Sequence, residues 1–206
     1  DLTPKGEDEA QARDVGWMAC VIAALDVQVL AVQEVMQHER GQRALAELVT
    51  QLDQKSGGRF LVSLDPCKRD GRQHVGFLYD ASKVQLDGEK TLSRVNPGRS
   101  ACDHRLRPGN AIAVRSGALR ARLLNVHLDS GVLERDAKNR QTSFTRLVEA
   151  IPDLPGRASD PLVVLGDFNT MGCHSCTPKS SAVEELAHVQ AEARAAKLEH
   201  LNDEHA

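Results

Sequence analysis

Aromatic residues are scarce in this sequence of 206 residues, since Phe, Trp and Tyr together make up 3%. A core must therefore consist mainly of Leu, Val, Ala and Ile, and the 41% hydrophobic content is enough for one packed domain. No apolar run approaches the roughly 18 residues that a membrane-spanning helix needs, so we expect no membrane span. Positive charge is not in excess either, because the formal net charge is -3. Any surface that binds phosphate must therefore be local.

Five cysteines are present, at positions 20, 67, 102, 173 and 176. The spacing of Cys173 and Cys176 resembles half of a zinc site, but zinc usually needs a second such pair, which the sequence lacks. A local disulfide or two free thiols are the expected alternatives, and Cys67 could pair with Cys102. Disulfides would favour a secreted or periplasmic protein over a cytoplasmic one, although the odd number of cysteines weakens that inference.

Hydrophobic periodicity predicts a mixture of helices and strands. Because a predicted hairpin occurs beside strand–helix–strand units, we expect an α/β (α+β) fold in which two mixed β-sheets pack together with helices outside. The longest irregular stretch is predicted at 87–109, and long irregular loops are often functional. The predicted helices cover residues 7–25, 39–54, 134–151 and 181–199, and the predicted strands cover 27–34, 59–64, 74–79, 110–116, 119–127 and 162–166.

The apolar strand at 162–166 ends at two polar residues, Asp167 and Asn169. Alternation along an extended chain would point both side chains to the same side, while Phe168 turns toward the core. A carboxylate beside an amide suits a site that orients water and holds a phosphate oxygen. The alternative is an ordinary turn, because Asp and Asn favour turns.

Two further apolar strands also end in reactive groups. Glu34 follows the first, and a carboxylate there suits Mg²⁺, which takes one or two carboxylates and keeps several waters. The alternatives are a solvated residue or an ion pair with Arg40. His127 ends the other strand, and an imidazole can donate a proton to a leaving alkoxide near neutral pH. The alternative is an ordinary surface or core residue, which a lone histidine at a strand end more often is.

Taken together, three strings in this order resemble the endonuclease/exonuclease/phosphatase superfamily, the fold of pancreatic-type deoxyribonuclease. They are Leu-Ala-Val-Gln-Glu-Val at 30–35, Leu-Asn-Val-His-Leu at 124–128 and Gly-Asp-Phe-Asn at 166–169. The resemblance implies a four-layer sandwich of two mixed sheets flanked by helices. It also implies site roles: Glu34 as the metal ligand, His127 as the acid on the leaving group, Asp167 as the residue that orients water and Asn169 as a phosphate-oxygen ligand.

The resemblance also implies a substrate-binding arginine just before the strand at 110–116. Arg107 occupies this position, and Arg105 and Arg99 make the same loop locally basic. A planar guanidinium suits phosphate because it donates two parallel hydrogen bonds. The alternative is a solvated loop. His74 lies on a strand that the family places facing the site, but we do not count it among the catalytic residues.

Two family elements are not visible: an opening strand that carries an Asn, and a closing strand with an adjacent Asp-His pair. Asp203 and His205 follow no apolar strand, so we interpret them as a solvated terminus. We therefore expect residues 1–206 to form a single domain that is truncated at both ends.

The expected function is hydrolysis of phosphoesters with Mg²⁺ (or Mn²⁺ or Ca²⁺), with DNA or RNA as the first substrate class. A phosphatase or phospholipase-type diesterase that acts on a small phosphate or lipid headgroup is the second class. A non-catalytic protein that keeps the fold is the third.

Overall fold

The computed structural model describes residues 8–67, 73–100 and 106–198. These ranges contain four helices and seven strands. The helices are α1 (Asp8–Ala24), α2 (Glu39–Ser56), α3 (Glu134–Ala150) and α4 (Ala182–Ala195), and the strands are β1 (Val29–Met36), β2 (Phe60–Leu64), β3 (Gln73–Asp80), β4 (Gln85–Leu92), β5 (Gly109–Ser116), β6 (Leu119–His127) and β7 (Leu162–Asp167).

The strands form two sheets. The first has the order β1-β3-β2, with antiparallel pairing throughout, and the second has the order β4-β5-β6-β7. In the second sheet β5 and β6 form the predicted hairpin, whereas β6 and β7 are parallel because α3 crosses over between them. Parallel pairing therefore occurs only in the four-stranded sheet among the described residues. This is the expected α+β architecture.

The sheets pack face to face with helices on their outer sides, which gives the four layers that the resemblance implies. Between the sheets lies a small core of Phe77, Val84, Ile112 and Val114. Helices α1 and α2 cover the three-stranded sheet through Leu, Val, Ile and Ala side chains, and α3 covers the four-stranded sheet. Since aromatics are few, aliphatic side chains dominate all three clusters, as the composition predicts.

Local sequence signals explain where helix α2 ends and where helix α4 begins. Helix α2 ends at Gly57, which adopts a left-handed backbone with φ of 65°. Helix α4 begins with a capping box in which Ser181 and Glu184 bond each other's backbone amides. No helix in the described part of the chain is both long and apolar enough to cross a bilayer.

One prediction of irregular structure is wrong in part. The stretch 87–109 contains most of β4, which pairs antiparallel with β5. Charged residues such as Asp87, Glu89 and Lys90 obscure its alternation, because β4 is a half-exposed edge strand with a register shift between Leu86 and Gly88. The predicted helix 7–25 is one residue too long at its end, because α1 ends at Ala24 and the Leu25 side chain is exposed.

Candidate active site

The parallel pairing of β6 and β7 brings their carboxyl ends to one place. His127 lies directly opposite Asp167 in the register, and Leu128 N–H donates to the Asp167 carbonyl at 2.9 Å. The Nε2 atom of His127 is 3.8 Å from Oδ2 of Asp167, whose side chain is about half exposed. Two of the residues chosen from the sequence are thus neighbours at the edge of the sheet.

Glu34 reaches the same histidine from the other sheet. The pairing of β1 with β3 shifts register between Val32 and Val35, and Glu34 within this bulge has a left-handed φ of 56°. A bulge bends a strand and re-aims a side chain, and a strained backbone at a non-glycine residue often marks a functional site. The Glu34 Oε1 atom lies 3.9 Å from His127 Nε2. Glu34 and Asp167 therefore flank one ring nitrogen.

Arg107 provides the third neighbour of this nitrogen. Its Nη2 lies 2.9 Å from His127 Nε2, and both residues are buried. A guanidinium can only donate, so Nε2 must be unprotonated and accept this hydrogen bond. Burial and, to a smaller extent, the Arg107 charge lower the pKa of His127 from 6.5 to about 4, against the opposing effect of Asp167. The imidazole is therefore neutral at pH 7.

Asn169 is held beside Asp167 by a turn rather than by strand alternation. The strand ends at Asp167, and Asn169 has a left-handed φ of 49°. Its backbone N–H donates to Asp167 Oδ1 at 2.9 Å, and its side-chain Nδ2 donates to the Leu128 carbonyl at 3.0 Å. The turn that the sequence offers as the alternative is thus present, and it places the amide next to the carboxylate. Phe168 packs edge-to-face on Phe144 with ring centroids 6.0 Å apart.

Several other sequence predictions have different outcomes. Arg105, a predicted substrate-binding residue, lies outside the described residues. Cys102, the predicted partner of Cys67, also lies outside them. Cys67 itself is disulfide-bonded. Cys173 and Cys176 form the local disulfide expected as one alternative. His74 is buried and pairs with Asp65, at 3.3 Å between Nδ1 and Oδ1.

Sequence reasoning missed one polar residue next to the site, Asn125. It is fully buried two residues before His127, and its Oδ1 accepts from Gln33 Nε2 at 2.6 Å. Alternation along β6 places Asn125 and His127 on one face, so the sequence carried a signal. Its role is visible only in the folded chain, because the partner of the amide lies on the other sheet.

The donor set fits Mg²⁺ better than a metal that needs a cage of protein ligands. Within the ranges described, no group of three or more His, Cys, Asp or Glu side chains could hold a metal ion. Glu34 presents one accessible carboxylate, with about a third of the side chain exposed. Mg²⁺ is often held by one or two carboxylates together with waters and substrate phosphates, whereas structural zinc needs four protein ligands.

An apolar groove of about 880 Å³ runs along β7 toward Asp167 and Asn169. Helix α4 forms its other wall. In the part of the chain that the structure describes, β7 pairs only with β6, so its outer edge opens into this groove. Apolar side chains from both walls line it, including Leu162, Val164, Phe168, Leu186 and Val189.

No family model matches the chain, and no curated protein matches its sequence. Solved structures do match its fold. D. rerio TDP2 complexed with single strand DNA product has a TM-score of 0.56 and 17% identity, over 88% of this chain and 60% of that one. A Bacteroides thetaiotaomicron mannosyl-6-phosphatase has a TM-score of 0.59 and 15% identity, over 81% of this chain and 62% of the other.

An endonuclease/exonuclease/phosphatase family protein from Bacteroides thetaiotaomicron has a TM-score of 0.58 and 16% identity, over 81% of this chain and 60% of that protein. The chain thus spans about three fifths of the length of the structures it matches. Identities this low establish the fold alone. The fold predicted from the three sequence strings is confirmed: the chain has the deoxyribonuclease I-like fold of the endonuclease/exonuclease/phosphatase proteins.

Proposed function

We propose that this chain carries the active site of a Mg²⁺-dependent phosphoester hydrolase that cleaves phosphodiester bonds in DNA or RNA. The observation that carries the proposal is the grouping of Glu34, Arg107 and Asp167 around His127 Nε2. Two carboxylates, a guanidinium and an imidazole at one point can bind a phosphate, orient a water and move a proton.

The roles of these residues follow from their positions. Asp167 is the most exposed of them, so its carboxylate can orient a water for in-line attack on phosphorus. Arg107 can donate to a phosphate oxygen in a bidentate geometry. Asn169 lies beside Asp167 and would hold another phosphate oxygen. Glu34 would hold the divalent ion, which when bound supplies charge neutralisation on the phosphoryl oxygens.

His127 would protonate the leaving oxygen. The hydrogen bond from Arg107 limits when its Nε2 can carry a proton. In the free chain, Nε2 accepts from Arg107 and the ring is neutral at pH 7. A bound phosphate attracts the guanidinium toward its own oxygens and stabilises a positive imidazolium. With the substrate in place, Nε2 of His127 would therefore first take up a proton from solvent and then give it to the leaving oxygen.

The substrate class rests on the relatives in fold and on local charge. The D. rerio TDP2 structure contains a single-strand DNA product, and Arg107 lies next to a loop rich in arginine. Hydrolysis of a small phosphomonoester or lipid headgroup is the second candidate, favoured by the mannosyl-6-phosphatase among the matches and by the apolar groove that ends at Asp167.

The activity test uses the purified chain with Mg²⁺, plasmid DNA and bis(p-nitrophenyl) phosphate. We expect cleavage of both substrates, and loss of cleavage in His127→Ala and Asp167→Ala. His188→Ala is the matched control, because this exposed histidine lies on α4 away from the group. Turnover that survives in the first two variants, or no turnover at all, would contradict the proposal.

Salt dependence separates the two substrate classes. Binding of nucleic acid releases counterions, so plasmid cleavage should fall steeply as salt rises from about 50 to 200 mM. Hydrolysis of a small phosphate ester should change little over this range. A flat response with plasmid would favour the small-substrate class.

We further propose that residues 1–206 belong to a domain that continues beyond them. Two facts support this: β1 and β7 are edge strands that contact each other across the sheets, and the matched structures are longer. Among the described strands, β7 has no partner on its outer edge, and an apolar edge of this kind is usually covered in a finished domain. Assay of a longer polypeptide from the parent reading frame, beside residues 1–206, tests this. Equal stability and activity of the two would contradict it.

The disulfides support a third proposal, that the chain works in an oxidising compartment such as the periplasm or the extracellular space. Thiol titration of the native protein, isolated without reductant, tests it. One reactive thiol, from Cys20, is expected. Five reactive thiols would contradict the proposal.

A further inference from the structure

Asn125 is a buried amide that connects the two sheets. It belongs to β6 and has no exposed surface. Its Nδ2 donates to the carbonyls of Val32 at 3.0 Å and Gly76 at 2.7 Å, and its Oδ1 accepts from Gln33. All three partners belong to the three-stranded sheet. The hydrogen-bonding capacity of this side chain is thus used across the interface between the sheets.

The contacts of Asn125 lie next to three residues of the candidate site, namely Glu34, His127 and Asp167. Gln33 directly precedes Glu34 in the bulge of β1. His127 follows Asn125 by two residues on the same face of β6. On β7, a Cβ built on Gly166 would lie 2.9 Å from Asn125 Oδ1, so the amide also lies against the residue before Asp167. One side chain thus contacts the neighbours of Glu34 and Asp167 and shares a strand with His127.

Asn110 is a second buried amide between the sheets, but its contacts do not lie next to the residues of the candidate site. It pairs directly with Asn125 in the register of β5 and β6, and it is equally buried. Its Nδ2 also reaches the other sheet, at 3.3 Å from the Ser63 carbonyl. Ser63 belongs to β2, however, which is the strand of its sheet farthest from β1. Asn110 therefore connects the sheets without contacting the neighbours of Glu34 or Asp167.

We propose that Asn125 is a positioning residue that sets the distances among Glu34, His127 and Asp167 by fixing the bulge of β1 to β6 and β7. The inference rests on the proposed hydrolase function. Bonds to Val32 and Gln33 hold the strained bulge that carries Glu34, and Asn125 Oδ1 occupies the space beside Gly166 on β7. Without the amide, the two sheets remain packed, but the groups around His127 Nε2 lose their common geometry.

The kinetic test compares Asn125→Leu with Asn110→Leu, two substitutions of the same shape at equally buried sites. Misplacement of reacting groups by about 1 Å can cost on the order of 100-fold in rate. We expect Asn125→Leu to lower kcat about 100-fold with little change in KM, and Asn110→Leu to keep kcat within about threefold of the unsubstituted chain. Equal kcat values in the two variants, at similar loss of stability, would overturn the proposal.

A milder substitution keeps the test valid if Asn125→Leu does not fold. Gln33→Met removes only the hydrogen bond to Asn125 Oδ1 and preserves side-chain length. We expect kcat to fall about tenfold, since part of the restraint on the bulge is lost. A kcat within about threefold of the unsubstituted chain would count against a positioning role.

A spectroscopic measurement distinguishes failure of this proposal from failure of the proposed function. The ring resonances of His127 are assigned in ¹⁵N-histidine-labelled protein by their absence in His127→Gln. At fixed pH and without substrate, Asn125→Leu should shift these resonances, whereas Asn110→Leu should leave them in place. If the chain has no turnover, the hydrolase proposal fails but this comparison still decides the positioning role. Unchanged His127 resonances in Asn125→Leu would overturn it.

Discussion

His74 and His127 are both buried histidines on β-strands, but their neighbours differ. His74 lies 3.3 Å from the Asp65 carboxylate, which also accepts backbone N–H groups from Val75 and Cys67. His127 has a guanidinium at 2.9 Å and two carboxylates only at 3.8 and 3.9 Å. Among the described residues, its buried Nδ1 has no hydrogen-bond partner. The first histidine is satisfied by its surroundings, and the second is arranged to respond to a ligand.

The neighbours of the ring distinguish a structural histidine from a reactive one. A carboxylate that is itself hydrogen-bonded to the backbone fixes the ring in one orientation and contributes to stability. A cation beside an imidazole destabilises the protonated ring. Binding of an anionic ligand stabilises the protonated ring again. Four predictions test this difference, beginning with the largest effect.

The largest effect should be on catalysis. His127→Gln should lower phosphodiester hydrolysis by about 1000-fold, because general acid catalysis contributes roughly 10²–10⁴-fold. His74→Gln should stay within about threefold, since His74 pairs with Asp65 rather than with the group around His127 Nε2. Steady-state kinetics with bis(p-nitrophenyl) phosphate provides the measurement. Comparable losses in both variants would remove the distinction.

For stability, the carboxylate beside His74 should matter more than the carboxylate beside His127. Asp65→Ala should lower the free energy of unfolding by about 3 kcal/mol, because it leaves buried backbone donors and His74 without an acceptor. Asp167→Ala should cost about 1 kcal/mol or less, because that side chain is about half exposed. Urea unfolding of both variants at pH 7.5 measures the difference. A larger loss in Asp167→Ala would contradict this prediction.

The pH dependence of stability should report His127. Its pKa is about 4 in the folded chain, against an ordinary value of 6.5, so between these values the unfolded chain binds the additional proton. Stability therefore falls as pH decreases from about 6.5 toward 4, by roughly 2–3 kcal/mol. Urea unfolding at several pH values should show a correspondingly flatter profile for His127→Gln. Identical profiles for the variant and the unsubstituted chain would exclude His127 as the source.

The smallest effect should be the change in the pKa of His127 when the Arg107 charge is removed. Arg107→Met should raise the pKa of His127, because the Arg107 charge is one of the two causes that lower it. The shift should be partial, since burial is the larger cause and remains. NMR titration of the histidine ring protons measures it, with His74 as the internal comparison. A His127 pKa that stays in place would mean that burial alone sets it.

Much of the fold could be predicted from the sequence because periodicity is local. The leucines of α2 and the apolar run of β7 identify their elements without tertiary information. Strand β4 could not be predicted in this way, since its charged residues resemble a loop until β5 provides a partner. The bulge at Glu34 was also missed, because a register shift is defined by the opposite strand and not by the residues themselves.

Local sequence is enough to identify the residues at strand ends, because side chains alternate along a strand and an apolar run ends where polar residues begin. Glu34, His127 and Asp167 were identified on that basis. Three other features become visible only in the folded chain: Arg107 donates to His127, a turn holds Asn169, and Asn125 joins the two sheets. These facts depend on distances between residues far apart in the chain, which packing of the two sheets sets and local periodicity does not encode.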